Sequence, residues 1–136
     1  MLYSMKTVCE KTGMTYEALK FYCNQGLVPN VKRDGANRRV FDERDIAWIE
    51  SLGCLKRCGL SIQEMRHYVQ LCLQGEASIP QRKIILAQKR EELLERIGQL
   101  EEAVAYADRK QTFYDAVLAG EHPYVSNILP QKEDTP

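Results

Sequence analysis

TYEALKFYCNQGLVPNVKRDGANRRVF, residues 15–41, is the stretch from which the fold can be read. Thr15 is a helix-capping residue, and the pattern behind it puts Leu19 and Tyr22 on one face of a short helix, turned inward or toward a ligand. Gly26 stops that helix and Pro29 forbids its continuation. Residues 31–33 and 39–41 then read as two short strands, with Asp34-Gly35-Ala36-Asn37 supplying the turn. The hairpin carries Lys32, Arg33, Arg38 and Arg39 against a single acid, Asp34. A helix followed by a cationic ribbon can hold a nucleic-acid duplex at two places, because cations neutralise phosphates on either side of a groove.

Upstream, Ser4 can cap a first helix with Met5, Val8 and Cys9 as its apolar positions, ended by Gly13. Two short helices joined around Gly13-Met14 have the punctuation of a helix-turn-helix. Downstream, a third helix starts at Asp42, with Asp45 placed to favour its first turn. Its apolar set is Ile46, Trp48, Ile49, Leu52 and Leu55, and Gly59 ends it. Ser61-Ile62-Gln63-Glu64 is a capping-box sequence. It opens a fourth helix carrying Ile62, Met65, Val69, Leu71, Cys72 and Leu73, closed by Gly75.

Residues 80–118 are of another kind, rich in Glu, Lys, Arg, Gln and Leu with one glycine, Gly98. Leu86, Leu93, Leu100, Ala107 and Tyr114 recur every seven residues. Ile97, Val104 and Leu118 fill the complementary heptad position, with Arg90 and Gln111 as polar interruptions. This is a coiled-coil seam. At 1.5 Å per residue the helix is roughly 55 Å long, and no second helix of that length exists in the sequence to cover it. A second copy of the chain is the simplest partner, so a homodimer is expected. After Gly120, the apolar segment 122–129 is expected to fold back on the helical body, and 132–136 to be polar and disordered.

The formal net charge is zero, which excludes a simple polycation. Its distribution is uneven: residues 1–70 hold eleven bases and eight acids, and five of those bases lie between Lys20 and Arg39. Such a local excess fits a phosphate-binding stripe. No apolar run reaches membrane-spanning length, and the first residues contain no signal-peptide core, which together predict a cytoplasmic protein without a membrane partner. Five cysteines, an odd number without scaffold spacing, fit a reducing compartment. No CxxC pair, Cys/His catalytic pair or nucleotide loop is present, and the only histidines are His67 and His122. Neither an enzyme, a metal site nor a bound cofactor is therefore expected.

Taken together, residues 2–75 resemble the DNA-binding domain of the MerR family of bacterial transcription regulators. The resemblance rests on Tyr3-Ser4, Thr12-Gly13-Met14-Thr15, Leu19-Lys20-Phe21-Tyr22, Gly26-Leu27-Val28-Pro29, Arg39-Val40-Phe41, Asp45-Ile46 and Gly59-Leu60-Ser61-Ile62 followed by Glu64-Met65. It implies a mainly α fold: a winged helix-turn-helix domain over 1–75, a dimerisation helix over 76–120 forming an antiparallel coiled coil in the dimer, and a tail over 121–136. It implies DNA contacts at Thr15, Tyr16, Lys20, Phe21 and Tyr22 of the recognition helix and at Lys32, Arg33, Arg38 and Arg39 of the wing. The family's usual Leu-Arg-Tyr-Tyr-Glu is here Leu19-Lys20-Phe21-Tyr22-Cys23, and lysine lacks the bidentate fork of arginine. The usual Gly-Tyr-Arg of the wing is Asn37-Arg38-Arg39, which leaves the turn geometry to Gly35 or Asn37.

The resemblance further implies a homodimer that distorts promoter DNA shared with RNA polymerase, under control of an effector. The segment 53–62 is similar to that of the aldehyde- and electrophile-responsive (AdhR/NmlR-like) branch, which implies Cys54 as the sensor. Lys56 and Arg57 favour a thiolate there, whereas the helix C-terminus at Gly59 opposes one. The competing reading of Cys54 is a core-filling residue. Two other classes compete for the whole chain: a thiol-based redox or metal-handling protein without DNA function, and a coiled-coil scaffold, which leaves the basic wing unexplained.

Overall fold

Capping residues set the element boundaries in the computed structural model, which describes residues 1–130. Strand β1 (Tyr3–Ser4) leads into α1 (Met5–Thr12), and Ser4 Oγ accepts from Thr7 N at the helix start. Helix α2 (Tyr16–Asn24) opens on Thr15, whose hydroxyl accepts from Ala18 N at 3.2 Å. Strands β2 (Lys32–Arg33) and β3 (Arg39–Phe41) form the hairpin. Helices α3 (Glu43–Arg57) and α4 (Ile62–Leu73) both begin with reciprocal capping boxes, Asp42 with Asp45 and Ser61 with Glu64. A short 3-10 turn, Gly75–Ser78, precedes α5 (Ile79–Leu118), 40 residues long.

The hairpin belongs to a three-stranded antiparallel sheet in the order β1-β3-β2. Tyr3 pairs with Phe41 and Ser4 with Val40, while Lys32 pairs with Val40 and Arg33 with Arg39. Strand β1 was not expected; two residues are too few to show an alternating pattern. It joins the chain's start to the inner strand of the wing, so β3 is paired on both sides while β2 stays at the edge.

The core gathers Val8 from α1, Leu19 and Tyr22 from α2, Leu27 and Val28 from the following turn, Phe41 from β3, Ile46, Ile49, Leu52 and Leu55 from α3, and Met65 and Val69 from α4. Leu27 and Val28 enter it because the chain reverses at Gly26, whose φ of 75° only glycine adopts without strain. There Leu27 N reaches back to Tyr22 O at 3.0 Å. Trp48 Nε1 donates to Leu27 O at 2.7 Å, tying α3 to the same turn.

Residues 1–93 form one compact unit, so the first turns of α5 pack with the helix-turn-helix rather than apart from it. The second unit starts at Leu94. Helix α5 has no buried residue, and Leu100 and Val104 of the heptad are 59% and 60% exposed. In the tail, the His122 ring stands edge-on to Phe113 with centroids 5.1 Å apart. Tyr124, Val125, Ile128 and Leu129 stay exposed, so the fold-back expected for 122–129 is limited to His122. Residues 132–136 lie outside the described residues.

Phe41 is fully buried at the junction of sheet and helices. Phe41→Ala should cost about 3–5 kcal/mol of unfolding free energy, measured by urea denaturation; a loss below about 1 kcal/mol would show that the sheet is not part of the cooperative core.

Candidate nucleic-acid interface

The recognition helix separates its residues by face. Leu19 and Tyr22 point into the core, and Tyr22 is only 5% exposed. Tyr16, Lys20 and Phe21 lie on the outer face, with Phe21 45% exposed. Tyr22, expected among the DNA contacts, is therefore corrected to a core residue; its neighbour Phe21 is the aromatic at the surface. Burial raises the Tyr22 hydroxyl above its ordinary pKa, consistent with a ring withdrawn from solvent. Thr15 is exposed at the N-terminus of the helix, where backbone amides favour an anion.

The wing turn is organised by Asp34. Its Oδ1 accepts from Ala36 N and Arg38 N, both at 2.9 Å, and its backbone N donates to Arg38 O at 2.9 Å. The amide of Arg38 is the leading reason why the Asp34 carboxyl lies below its ordinary pKa. Asn37, at φ 60°, takes the left-handed position, which settles the turn geometry in favour of Asn37 over Gly35. Arg33 Nη1 donates to Asn37 O at 2.9 Å. Arg39 Nη2 donates to Asn24 Oδ1 at 2.6 Å and so clasps the wing to the end of the recognition helix. Arg38 is open to solvent, its side chain 79% exposed beside Asp34.

Lys32 behaves differently from the other wing cations. Its ammonium sits 3.0 Å from Asp42 Oδ2 and 3.0 Å from Asp45 Oδ2, and donates to Asn30 O at 3.0 Å. Three acceptors saturate an ammonium's three donors. Lys32, expected to bind phosphate, is engaged in this structure as a clasp between the wing and the start of α3. The bond to Asp42 is the leading cause of its raised pKa. Asp42 in turn falls from an ordinary 3.8 to about 2, chiefly through the Asp45 amide and then through Lys32.

Between the wing and the starts of α1 and α2 lies an open hollow of about 510 Å³. Lys6, Tyr16, Arg33, Arg38 and Arg39 are among the residues that line it. Lys6 was missed by sequence reasoning because it lies outside the 20–39 cluster; the folding of β1 against β3 brings it there. The hollow thus assembles cations and a phenol from α1, α2 and the wing, a group suited to phosphodiester oxygens.

Cys54 is exposed on α3, and Arg57 Nη2 lies 3.1 Å from its sulfur. Cys58 is half-buried against the core, so the two do not share an environment although they are one turn apart. Among the described residues, no group of three or more His, Cys, Asp or Glu side chains is arranged to hold a metal ion, and no helix is long and apolar enough to cross a membrane.

A helix-turn-helix flanked by a basic wing defines a DNA-binding regulator. Residues 3–72 match the MerR HTH family regulatory proteins, and the chain belongs to that family. It is 40% identical over 88 residues to the HTH-type transcriptional regulator AdhR of Bacillus subtilis, an alignment covering 65% of this chain and 63% of AdhR. It is 29% identical to an uncharacterized HTH-type transcriptional regulator of Haemophilus influenzae, over 88% of each chain. Among solved structures it is similar to HiNmlR, a MerR family regulator lacking the sensor domain and bound to promoter DNA. That similarity has a TM-score of 0.75 and 28% identity, over 88% of this chain and 94% of that one. These relatives are consistent with the AdhR/NmlR-like branch, and the proteins matched are regulators rather than enzymes.

The clasp and the open wing cation separate in a salt titration of DNA binding. Arg38→Ala should lower the slope of log K against log salt by about 0.9, whereas Lys32→Met should leave the slope unchanged. A slope change of about one for Lys32→Met would instead place its ammonium on a phosphate. The clasp also has a defined pH window. Asp42 is depressed, so its contribution is present above 3.8 and is lost as pH falls through about 2. Lys32 is raised, so its contribution is full below 10.5 and is lost as pH rises through its higher folded value. The stability difference between wild type and Lys32→Met, followed by urea denaturation, should therefore be flat from about pH 4 to pH 10.

Proposed function

We propose that this regulator binds promoter DNA as a homodimer and distorts it in response to an effector, on a promoter shared with RNA polymerase. The carrying observation is the single hollow that Lys6, Tyr16, Arg33, Arg38 and Arg39 line, with Arg39 clasped to Asn24 at the end of the recognition helix. Wing and recognition helix then form one surface, able to take a groove and its flanking backbone together. Thr15, Tyr16, Lys20 and Phe21 face the duplex in this reading, and Lys20 neutralises phosphate as a point charge. The exposed heptad of α5 supports an antiparallel coiled coil with a second copy, which pairs two readers on two half-sites. The assigned regions are the reader over 1–75, the dimerisation helix over 76–120 and the tail over 121–136. The protein works in the cytoplasm, where its DNA is.

Cys54 is the sensing residue in this proposal. Its sulfur is solvent-accessible and lies against the Arg57 guanidinium. Attack of the thiolate on an aldehyde carbonyl forms a carbon–sulfur bond, and the carbonyl oxygen takes up a proton to give a hemithioacetal. That change displaces Arg57 near the end of α3 and biases the DNA-bound state.

Footprinting on DNA upstream of the protein's own gene, with and without an aldehyde, tests both levels. Protection of a two-fold symmetric site is expected, changing in pattern when aldehyde is added. No protection under either condition overturns the promoter reading. A Cys54→Ser variant should bind the same site and lose the aldehyde response; a full response from that variant excludes the thiol sensor.

A further inference from the structure

Where α4 meets α5, a row of contacts lies away from the DNA-facing surface. The Ser78 hydroxyl, in a residue 1% exposed, lies within reach of Leu71 O and of Gly75 O, the second at 3.0 Å, and its one proton serves these two carbonyls at and just beyond the end of α4. Arg82 Nε donates to Ser78 Oγ at 3.0 Å and Arg82 Nη2 to Gly75 O at 2.8 Å. Its Nη1 lies 3.8 Å from Cys72 Sγ. One turn further, Ile85 packs on the core. Beyond that, Lys89 Nζ meets Glu64 Oε2 at 2.9 Å and Glu92 Oε2 at 3.2 Å.

The order of these contacts is informative. The end of α4 touches residues 78 and 82, and its start, at Glu64, touches residue 89. The two helices therefore run antiparallel over this length. Positions 78, 82, 85 and 89 recur at four, three and four, the spacing of one helix face. That face is offset from the heptad of Leu86, Leu93 and Leu100. One side of α5 is thus committed to the reader, which leaves the heptad free for another helix. Lys89 has a side chain only 12% exposed, unusual for a lysine on a charged helix. Its hydrogen bond to Glu64 is the leading cause of its raised pKa. Glu64 is at the same time the capping-box residue of α4, so the pair joins α5 to a helix start that is already fixed.

We propose that Arg82 and the Lys89–Glu64 pair are positioning residues that splint α5 to the DNA-binding domain and set the spacing of half-sites the dimer accepts. None of them touches DNA in this assignment. They act by fixing the angle at which the dimerisation helix leaves each reader. Adding one base pair between half-sites rotates one against the other by about 35°. A splinted dimer must then deform the DNA to engage both, whereas a dimer with a loose joint follows the rotation.

The inference rests on the promoter-binding homodimer proposed above, and its test keeps the two apart. Full-length protein is titrated against its footprinted operator, against versions with single base pairs inserted or deleted at the centre, and against an isolated half-site. Wild type should lose on the order of tenfold in affinity for each altered spacer. The Arg82→Met/Lys89→Met variant should lose less than threefold and bind the half-site as wild type does, which also shows that its reader is folded. Lys89→Arg, which keeps a cation against Glu64, should retain the wild-type profile. If the double variant folds poorly, Arg82→Met alone should show the same flattening in part. A spacer profile identical to wild type in variants with intact half-site binding overturns the splint, as does a wild type indifferent to spacing. A monomer in sedimentation, or no symmetric footprint, overturns the homodimer reading and the splint falls with it.

Discussion

Asp45 is a carboxylate that is only 4% exposed, and such a group must be answered by donors or not exist as a charge. Three elements answer it. The Asp42 amide donates to it at 2.9 Å, the Lys32 ammonium lies 3.0 Å away, and the first turn of α3 favours a negative charge at that end of the helix. Satisfying Asp45 therefore fixes the start of α3 and the outer strand of the wing at once. Strand β3 follows, since it pairs with β2 on one side and with β1 on the other. Arg33, Arg38 and Arg39 are carried on this frame, so the shape of the cationic hollow depends on a buried acid that faces away from it.

Local signals made most of this fold legible. Ser4, Thr15, Asp42 and Ser61 cap helices as their residue types and neighbours suggest, because a cap is a contact within one turn of the chain. The seven-residue repeat of α5 was legible for the same reason: periodicity survives without tertiary information. What escaped were pairings across long separations. Strand β1 is two residues long, and its partner Phe41 lies 38 residues further along the chain, beyond α1 and α2. Lys6 joins the hollow by the same route. Periodicity placed Tyr22 on the same face as Leu19, but it could not say whether that face met the core or a ligand, and burial decides for the core.

Helix α5 carries two faces of different chemistry side by side. Its heptad was visible as a row of Leu, Ile and Val, whereas the adjoining face reads as ordinary charged surface. Arg82 and Lys89 look like solubilising residues until burial and partners are known. The physical distinction is that the heptad is apolar, the kind of face a helix of matching period covers. The neighbouring face is polar and needs specific acceptors, which Gly75 O and Ser78 Oγ of the turn after α4 and Glu64 near its start supply. Polar contacts of this kind constrain direction more than apolar ones, because a donor must meet its acceptor within a narrow angle.

The same distinction sorts the cations of residues 20–39, where charge density alone made them equivalent. Lys32 pairs with an acid that is only 4% exposed, so transferring its ammonium to a phosphate would leave a nearly buried charge with the Asp42 amide as its remaining donor outside the helix turn. Arg38 pairs with Asp34 at 3.3 Å while remaining 79% exposed, and an exposed pair of that kind is worth little. A phosphate can take Arg38 from Asp34 at small cost, because water and the amides of Ala36 and Arg38 still answer the aspartate. How readily each cation can be given up to a phosphate depends less on where it lies in the sequence than on what it would leave behind.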